Sequence, residues 1–227
     1  MHFRFFMLKI AVFTVNPLQE NTYIIYEPKG ECIVVDPGCV NSSEDGRLVQ
    51  FIEENNLKLK MVVATHGHVD HIAGVDALKS HFSVPFAVSK LDQQIVDMAP
   101  QYAAMFGFEL ESAPLVEIDL NDVNEIMVGE NPVKVIPTPG HSQGQVTFWL
   151  PNEKVILPGD TLFRESIGRS DLPGGDYSQL MTSILKKIVP LGDDVQVLPG
   201  HGPATTIGHE TMFNPFITEV IQEQVKY

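Results

Sequence analysis

Apolar residues in this chain fall mostly into short runs of period two, broken by glycine and proline, with a few stretches of period near 3.6. Residues 8–15 alternate loosely and stop at Asn16-Pro17, the pattern of a strand and a turn. Residues 22–26 and 32–35, parted by Pro28-Lys29-Gly30, predict a hairpin. Its second strand ends at Asp36-Pro37-Gly38. A helix follows, capped by Ser42 or Ser43, with Leu48, Phe51 and Ile52 on one face. The unbroken apolar run 61–64 predicts a strand buried on both faces. Near Ser89 a second helix is predicted, with Asp92 in the capping-box position and Leu91, Ile95 and Met98 on one stripe. A third starts at Asp176, with Gln179 three residues on, and runs through Leu180, Ile184 and Ile188 to Pro190. The last follows Asn214-Pro215 and carries Ile217, Val220 and Ile221. Strands are expected near 133–136, 145–150, 154–157 and 195–198. Strands and helices alternate in both halves without a linker or repeat, which predicts one α/β domain over residues 1–227.

Composition narrows the classes. A chain of 227 residues that is 44% hydrophobic can bury a sizeable core and is not disordered. A net charge of −14 argues against a nucleic-acid surface or a polybasic membrane anchor, while a local cationic site could still take a small anion. No apolar run reaches the ~18 residues that span a bilayer. Nucleic acid and membrane are therefore not expected partners. Two cysteines, Cys32 in a strand and Cys39 in a loop, build no disulfide framework, and a reducing cytoplasm is expected. Residues 1–6 are apolar with one arginine, but no small-residue cleavage site follows them, so the N-terminus is read as mature. If Met7 is the true start, residues 1–6 are an extension.

The chemistry is concentrated in Thr65-His66-Gly67-His68-Val69-Asp70-His71, where four candidate metal ligands follow directly on a predicted buried strand. On a helix, residues two apart do not share a face, whereas an extended or looped segment lets His66 and His68 converge. Imidazole and carboxylate are ligands that Zn²⁺ and similar divalent ions prefer. His141, Asp160 and His201 each follow a glycine just past a predicted strand, where strand-end loops gather sites. His2, His81 and His209 are left as ordinary structural histidines.

The motif His66-Gly67-His68-Val69-Asp70-His71 resembles the signature of the metallo-β-lactamase superfamily. Within it, four stretches resemble the glyoxalase II-like group, specifically its short single-domain hydroxyacylglutathione hydrolases: 16–23, 159–163, 167–176 and 199–203. The resemblance implies a four-layer αββα sandwich with a metal site at one edge. It implies two divalent ions, zinc first, with iron or manganese as alternatives. His66, His68 and His141 would hold one ion; Asp70, His71 and His201 would hold the other, with Asp160 bridging. Asp36 could orient a ligand histidine or be a plain turn residue. In the field of two such ions a bridging water loses its proton near pH 7. Asp70 and Asp160 would hold that hydroxide in place, neither acting as a free base. The implied reaction is hydrolysis of an acyl-thiol such as S-lactoylglutathione, with a cytoplasmic location.

The chain departs from full-length glyoxalase II, which resembles this domain plus a helical domain that helps hold glutathione; here only 26 residues follow His201. Arg169, with Arg164 on the same loop, is the expected substitute for binding a substrate carboxylate. The alternative for Arg169 is a structural pair with Asp171 or Asp176. Competing readings are a mononuclear Fe(II) persulfide dioxygenase of the same fold, a lactone or other ester hydrolase, and a non-catalytic metal-stabilised fold. A β-lactamase is disfavoured because Asp160 stands where many of those enzymes use cysteine, and a nuclease by the acidic balance. Neither the acyl group nor the oligomeric state is encoded in these motifs.

Overall fold

The computed structural model describes residues 7–225, with side chains through residue 220. Residues 1–6, His2 and the Ile221 side chain lie outside the described residues.

Two six-stranded sheets face each other. The first runs in sequence order: β1 (Lys9–Val15), β2 (Glu20–Tyr26), β3 (Glu31–Val35), β4 (Lys58–Val63), β5 (Phe86–Val88) and β6 (Ile118–Asp119). Its first three strands are antiparallel and the rest parallel. The second sheet holds β7 (Glu125–Val128), β8 (Asn131–Pro137), β9 (Val146–Leu150) and β10 (Val155–Leu157). A small hairpin, β11 (Leu162–Phe163) with β12 (Ser166–Ile167), precedes its last strands, β13 (Gln196–Val197) and β14 (Thr205–Thr206). The order is β14-β13-β10-β9-β8-β7, with β10 and β13 parallel.

Period-two alternation builds three layers of core. Ile25, Ile33, Val35 and Val63 meet Val133, Val135, Phe148 and Leu157 between the sheets. The opposite face of the first sheet, with Ile24, Val34, Val62 and Phe86, packs on α1 (Ser42–Glu54), α2 (Val69–Ile72), α3 (Val75–Phe82), α4 (Gln93–Asp97) and α5 (Ala99–Phe106). On the second sheet, Ile156 and Val197 pack on α6 (Tyr177–Ser183), α7 (Ile207–Phe213) and α8 (Pro215–Val225). This is the four-layer αββα sandwich.

Most expected elements appear, with instructive differences. The hairpin turns where expected, Lys29 adopting φ +58° and Gly30 N–H donating to the Glu27 carbonyl. α1 is capped by Asn41, whose side chain accepts from Glu44 N, rather than by Ser42 or Ser43. The Ser89 helix is three short pieces, and its outward stripe is the predicted one: Leu91 is 60% and Met98 40% exposed. Val96, Ala99 and Ala103 face the core instead. Asp176 does cap α6, accepting from Gln179 N at 2.9 Å. Cys32 and Cys39 are free and buried. Among the described residues no helix is long and apolar enough to cross a membrane.

Candidate metal centre

Parallel geometry brings the ligand-bearing loops to one edge. β8, β10 and β13 point the same way, so the loops carrying His141, Asp160 and His201 leave the second sheet at one end. The segment after β4 supplies His66, His68, Asp70 and His71 from the first sheet. His68 is extended (φ −66°, ψ 146°), and Asp70 and His71 sit on the single turn α2. All seven predicted ligands converge across the seam between the sheets.

The donor atoms form two sets. His66 Nε2, His68 Nδ1 and His141 Nε2 lie 2.9, 2.9 and 3.2 Å apart. A neutral imidazole nitrogen either donates or accepts, so three mutually close ring nitrogens cannot all be satisfied by protons. Lone pairs converging on one cation satisfy them together; Zn–N bonds of ~2.0–2.1 Å in tetrahedral geometry place nitrogens at about this separation. The second set is Asp70, His71 and His201, with His201 Nε2 at 3.2 Å and His71 Nε2 at 3.8 Å from Asp70 Oδ2. Asp160 stands between the sets, 3.4 Å from His71 Nε2, 3.7 Å from His141 Nε2 and 3.8 Å from His201 Nε2. Both His71 ring nitrogens and Asp160 Oδ1 are buried without a hydrogen-bond partner. Orphaned lone pairs of this kind fit divalent cations.

Hydrogen bonds select the tautomers. His141 Nδ1 donates to the Arg169 carbonyl at 2.7 Å and His201 Nδ1 to the Leu18 carbonyl at 3.1 Å, leaving each Nε2 free as a ligand atom. Thr65 Oγ1 donates to Asp36 Oδ2 at 2.8 Å and accepts from His66 Nδ1 at 3.0 Å, which frees His66 Nε2. Asp36 also lies 3.1 Å from His71 Nδ1, though not aligned for a hydrogen bond. It holds a left-handed φ of +52°, a strained conformation of the kind that clusters at functional sites. Asp36 thus holds Thr65 by its N–H and hydroxyl and lies beside His71.

Electrostatics divide the same way. Burial, then the neighbouring histidines, holds His66 well below the usual imidazole range, and the same causes bring His68 down to about 4. Both shifts favour the neutral imidazole, the form able to bind a metal ion. Asp70 is held below the usual carboxylate range because His71 and His201 outweigh the opposing effect of burial. Burial alone would lower His71, yet Asp160, Asp70 and Asp36 push it well above its ordinary value. The carboxylates draw positive charge to this spot.

Sequence reading missed several buried polar residues around the centre. Asp92, placed in a capping box, instead accepts from Gly67 N, Ser142 Oγ and Gly144 N. Glu20, fully buried, lies 3.9 Å from His71 Nδ1. Arg169 pairs bidentately with Asp171, both bonds 2.9 Å and both side chains exposed. Its backbone, not its guanidinium, touches a ligand. Arg164 is exposed in the β11–β12 turn, 3.9 Å from Glu165. His81 and His209 pair with Glu53 and Glu165. A separate groove of about 560 Å³ includes Ile10, Tyr23, Val155 and Leu198 in its walls, but none of the seven ligand side chains.

Comparison with known proteins identifies relatives along nearly the whole chain. Hydroxyacylglutathione hydrolase GloC of Haemophilus influenzae is 37% identical over 213 residues, covering 92% of this chain and 98% of that protein. The crystal structure of the BLEG-1 B3 metallo-beta-lactamase aligns with TM-score 0.84 at 34% identity, covering 92% of this chain and all of that one. That of TTHA1623 in a di-iron-bound form aligns with TM-score 0.80 at 34% identity, covering 91% and 99%. Residues 15–201, a span that takes in every one of the seven converging side chains, match the family as a whole, and the chain belongs to the metallo-beta-lactamase superfamily.

Proposed function

We propose that this chain is a metal-dependent hydrolase of the glyoxalase II type, cleaving the thioester of a small acyl-thiol such as S-lactoylglutathione. The observation that carries the reading is the pair of donor sets with Asp160 between them, in which both His71 ring nitrogens and Asp160 Oδ1 are buried without a hydrogen-bond partner. The 37% identity to a hydroxyacylglutathione hydrolase along nearly both full lengths supports it. Zinc is the proposed metal, with iron or manganese as alternatives; the di-iron form of TTHA1623 keeps iron in view.

Divalent ions held here would supply Lewis acidity toward a carbonyl and a water acidic enough to lose its proton near neutral pH. The chain's own residues then have definite tasks. On one side stand His66, His68 and His141, with Nδ1 of His66 engaged by Thr65 and Nδ1 of His141 by the Arg169 carbonyl; Asp70, His71 and His201 offer the carboxylate-bearing set on the other. Asp70 and Asp160 hold charge in place and are not free bases, since each faces at least two histidines. A thiol leaving group with a parent pKa of ~8.5 departs as thiolate without a general acid. Arg169 and Arg164 are the proposed contacts for a substrate carboxylate. For Arg169 that contact requires exchange with Asp171.

The test is a panel of thioesters, a lactone, a β-lactam and a phosphodiester, assayed with zinc-, iron- and manganese-loaded protein, with oxygen uptake on a persulfide alongside. Thioester turnover lost on chelation and restored by metal supports the proposal. Selective turnover of another class, or oxygen uptake with persulfide, overturns it.

A further inference from the structure

Each donor set draws on both sheets. His66 and His68 follow β4 of the first sheet and meet His141 from the second; Asp70 and His71 meet His201 in the same way. Each set is therefore only as precise as the seam it crosses. Buried polar side chains bridge that seam: Asp92 beside the three-histidine set, and Asn21 beside the other, where the Tyr23 hydroxyl also donates to the Pro199 carbonyl at 2.7 Å.

Asp92, fully buried just beyond β5, accepts from Gly67 N at 3.0 Å and Ser142 Oγ at 2.6 Å on Oδ2, and from Gly144 N at 2.6 Å on Oδ1. Gly67 lies between His66 and His68, and Ser142 follows His141. At the other set, Asn21, buried at the start of β2, donates its backbone N–H to the Gly200 carbonyl at 2.7 Å. Its Nδ2 donates to the carbonyls of Pro199 at 3.1 Å and Gly202 at 2.9 Å, so that it grips the loop on both sides of His201. Thr14 Oγ1 donates to Asn21 Oδ1 at 3.0 Å and fixes the amide's orientation.

We propose that Asp92 and Asn21 are positioning residues of the metal centre, Asp92 setting the three-histidine subsite and Asn21 the Asp70–His71–His201 subsite, each without the other. The proposal rests on the metal-centre reading above. Asp92→Asn sets an amide N–H against the N–H of Gly144 or Gly67, leaving a buried donor without an acceptor. Asn21→Asp replaces the nitrogen that carries both N–H donors with an oxygen facing the Pro199 and Gly202 carbonyls. Loss of a residue that orients ligands costs about 10- to 100-fold in metal affinity.

The experiment challenges zinc-loaded full-length protein with rising chelator and counts ions retained per chain. Asp92→Asn is expected to release one ion at about 10- to 100-fold lower chelator, and Asn21→Asp the other. Assignment uses ligand knockouts: in a His141→Ala background Asp92→Asn shifts nothing further while Asn21→Asp does, and in His201→Ala the pattern reverses. Ser142→Ala and Thr14→Val, each removing one bond of a brace, give smaller shifts in the same pattern and decide the matter if the stronger variants do not fold. Equal weakening of both ions, or no change in any variant, overturns the proposal. If wild-type protein retains no zinc, the metal-centre reading falls as well.

Discussion

Gly168→Ala is expected to damage the metal centre through space rather than through chemistry. Gly168 returns the β11–β12 hairpin onto Asp160, and its φ is not in the left-handed region, so alanine meets no backbone strain. A Cβ there would lie 1.7 Å from the Asp160 carbonyl oxygen, 2.9 Å from its carbon and 3.3 Å from His141 Nδ1. Relief requires a displacement of more than an ångström between segments that hold Asp160 and, through the Arg169 carbonyl, orient His141. Metal sites tolerate ligand errors of only about 0.2 Å. Overpacking of this kind costs about 1–3 kcal/mol, which for a domain of this size is a fall of about 3–10 °C in Tm. Retention of at least one ion should weaken about 100-fold. Ions per chain are measured against chelator, and Tm is measured on metal-stripped samples so that lost binding does not masquerade as lost packing. Gly46→Ala is the control: nothing lies within 4 Å of its Cβ position in α1. It should raise stability by up to about 1 kcal/mol with metal retention unchanged. A Gly168→Ala protein that keeps both ions at wild-type chelator concentrations and melts normally would refute the claim that this close approach sets the ligands.

Thr65→Val keeps shape but removes the hydroxyl between Asp36 and His66, and should lower zinc affinity about 10-fold by chelator competition without changing the fold. Asp171→Ala frees Arg169 and should lower KM for a carboxylate-bearing thioester about two- to five-fold, the scale an exposed ion pair allows; an unchanged KM removes Arg169 from substrate binding. Burial, aided by Glu44, lifts the half-buried Asp45 carboxyl from its ordinary value near 3.8 to about 6. Between those values the folded state holds more protons than the unfolded one, so stability falls as pH rises through that window, by about 1 kcal/mol once solvent screening is allowed for. In denaturant titrations from pH 4 to 7, Asp45→Asn should flatten that slope, and an undiminished slope would assign it elsewhere.

Much of the fold was legible because local patterning reports local geometry. The hairpin at 28–30, the strands on either side of it, the Asp176 cap and the Asn214-Pro215 helix start each depend on neighbours in sequence. The seven convergent donor side chains were legible for a different reason: four fall within six consecutive residues, and the others share a glycine before and a strand behind. β5, β6 and β14 have only two or three residues each, too few for periodicity to show. The stripe Leu91–Ile95–Met98 had the right spacing, but only the packed neighbours of α4 and α5 decide which face turns inward.

The sequence by itself determined the inventory of donors, the alternation of strands and helices, and the family. Tertiary structure alone decided which polar residues brace that inventory. Asp92 meets partners 25 to 52 positions away, and Asn21 reaches residues 178 and 181 positions away. A buried carboxylate or amide looks locally like a cap or turn residue. Its real partners exist only once two sheets, joined by antiparallel and parallel returns, bring distant backbone groups within hydrogen-bond reach and exclude the water that would otherwise satisfy them.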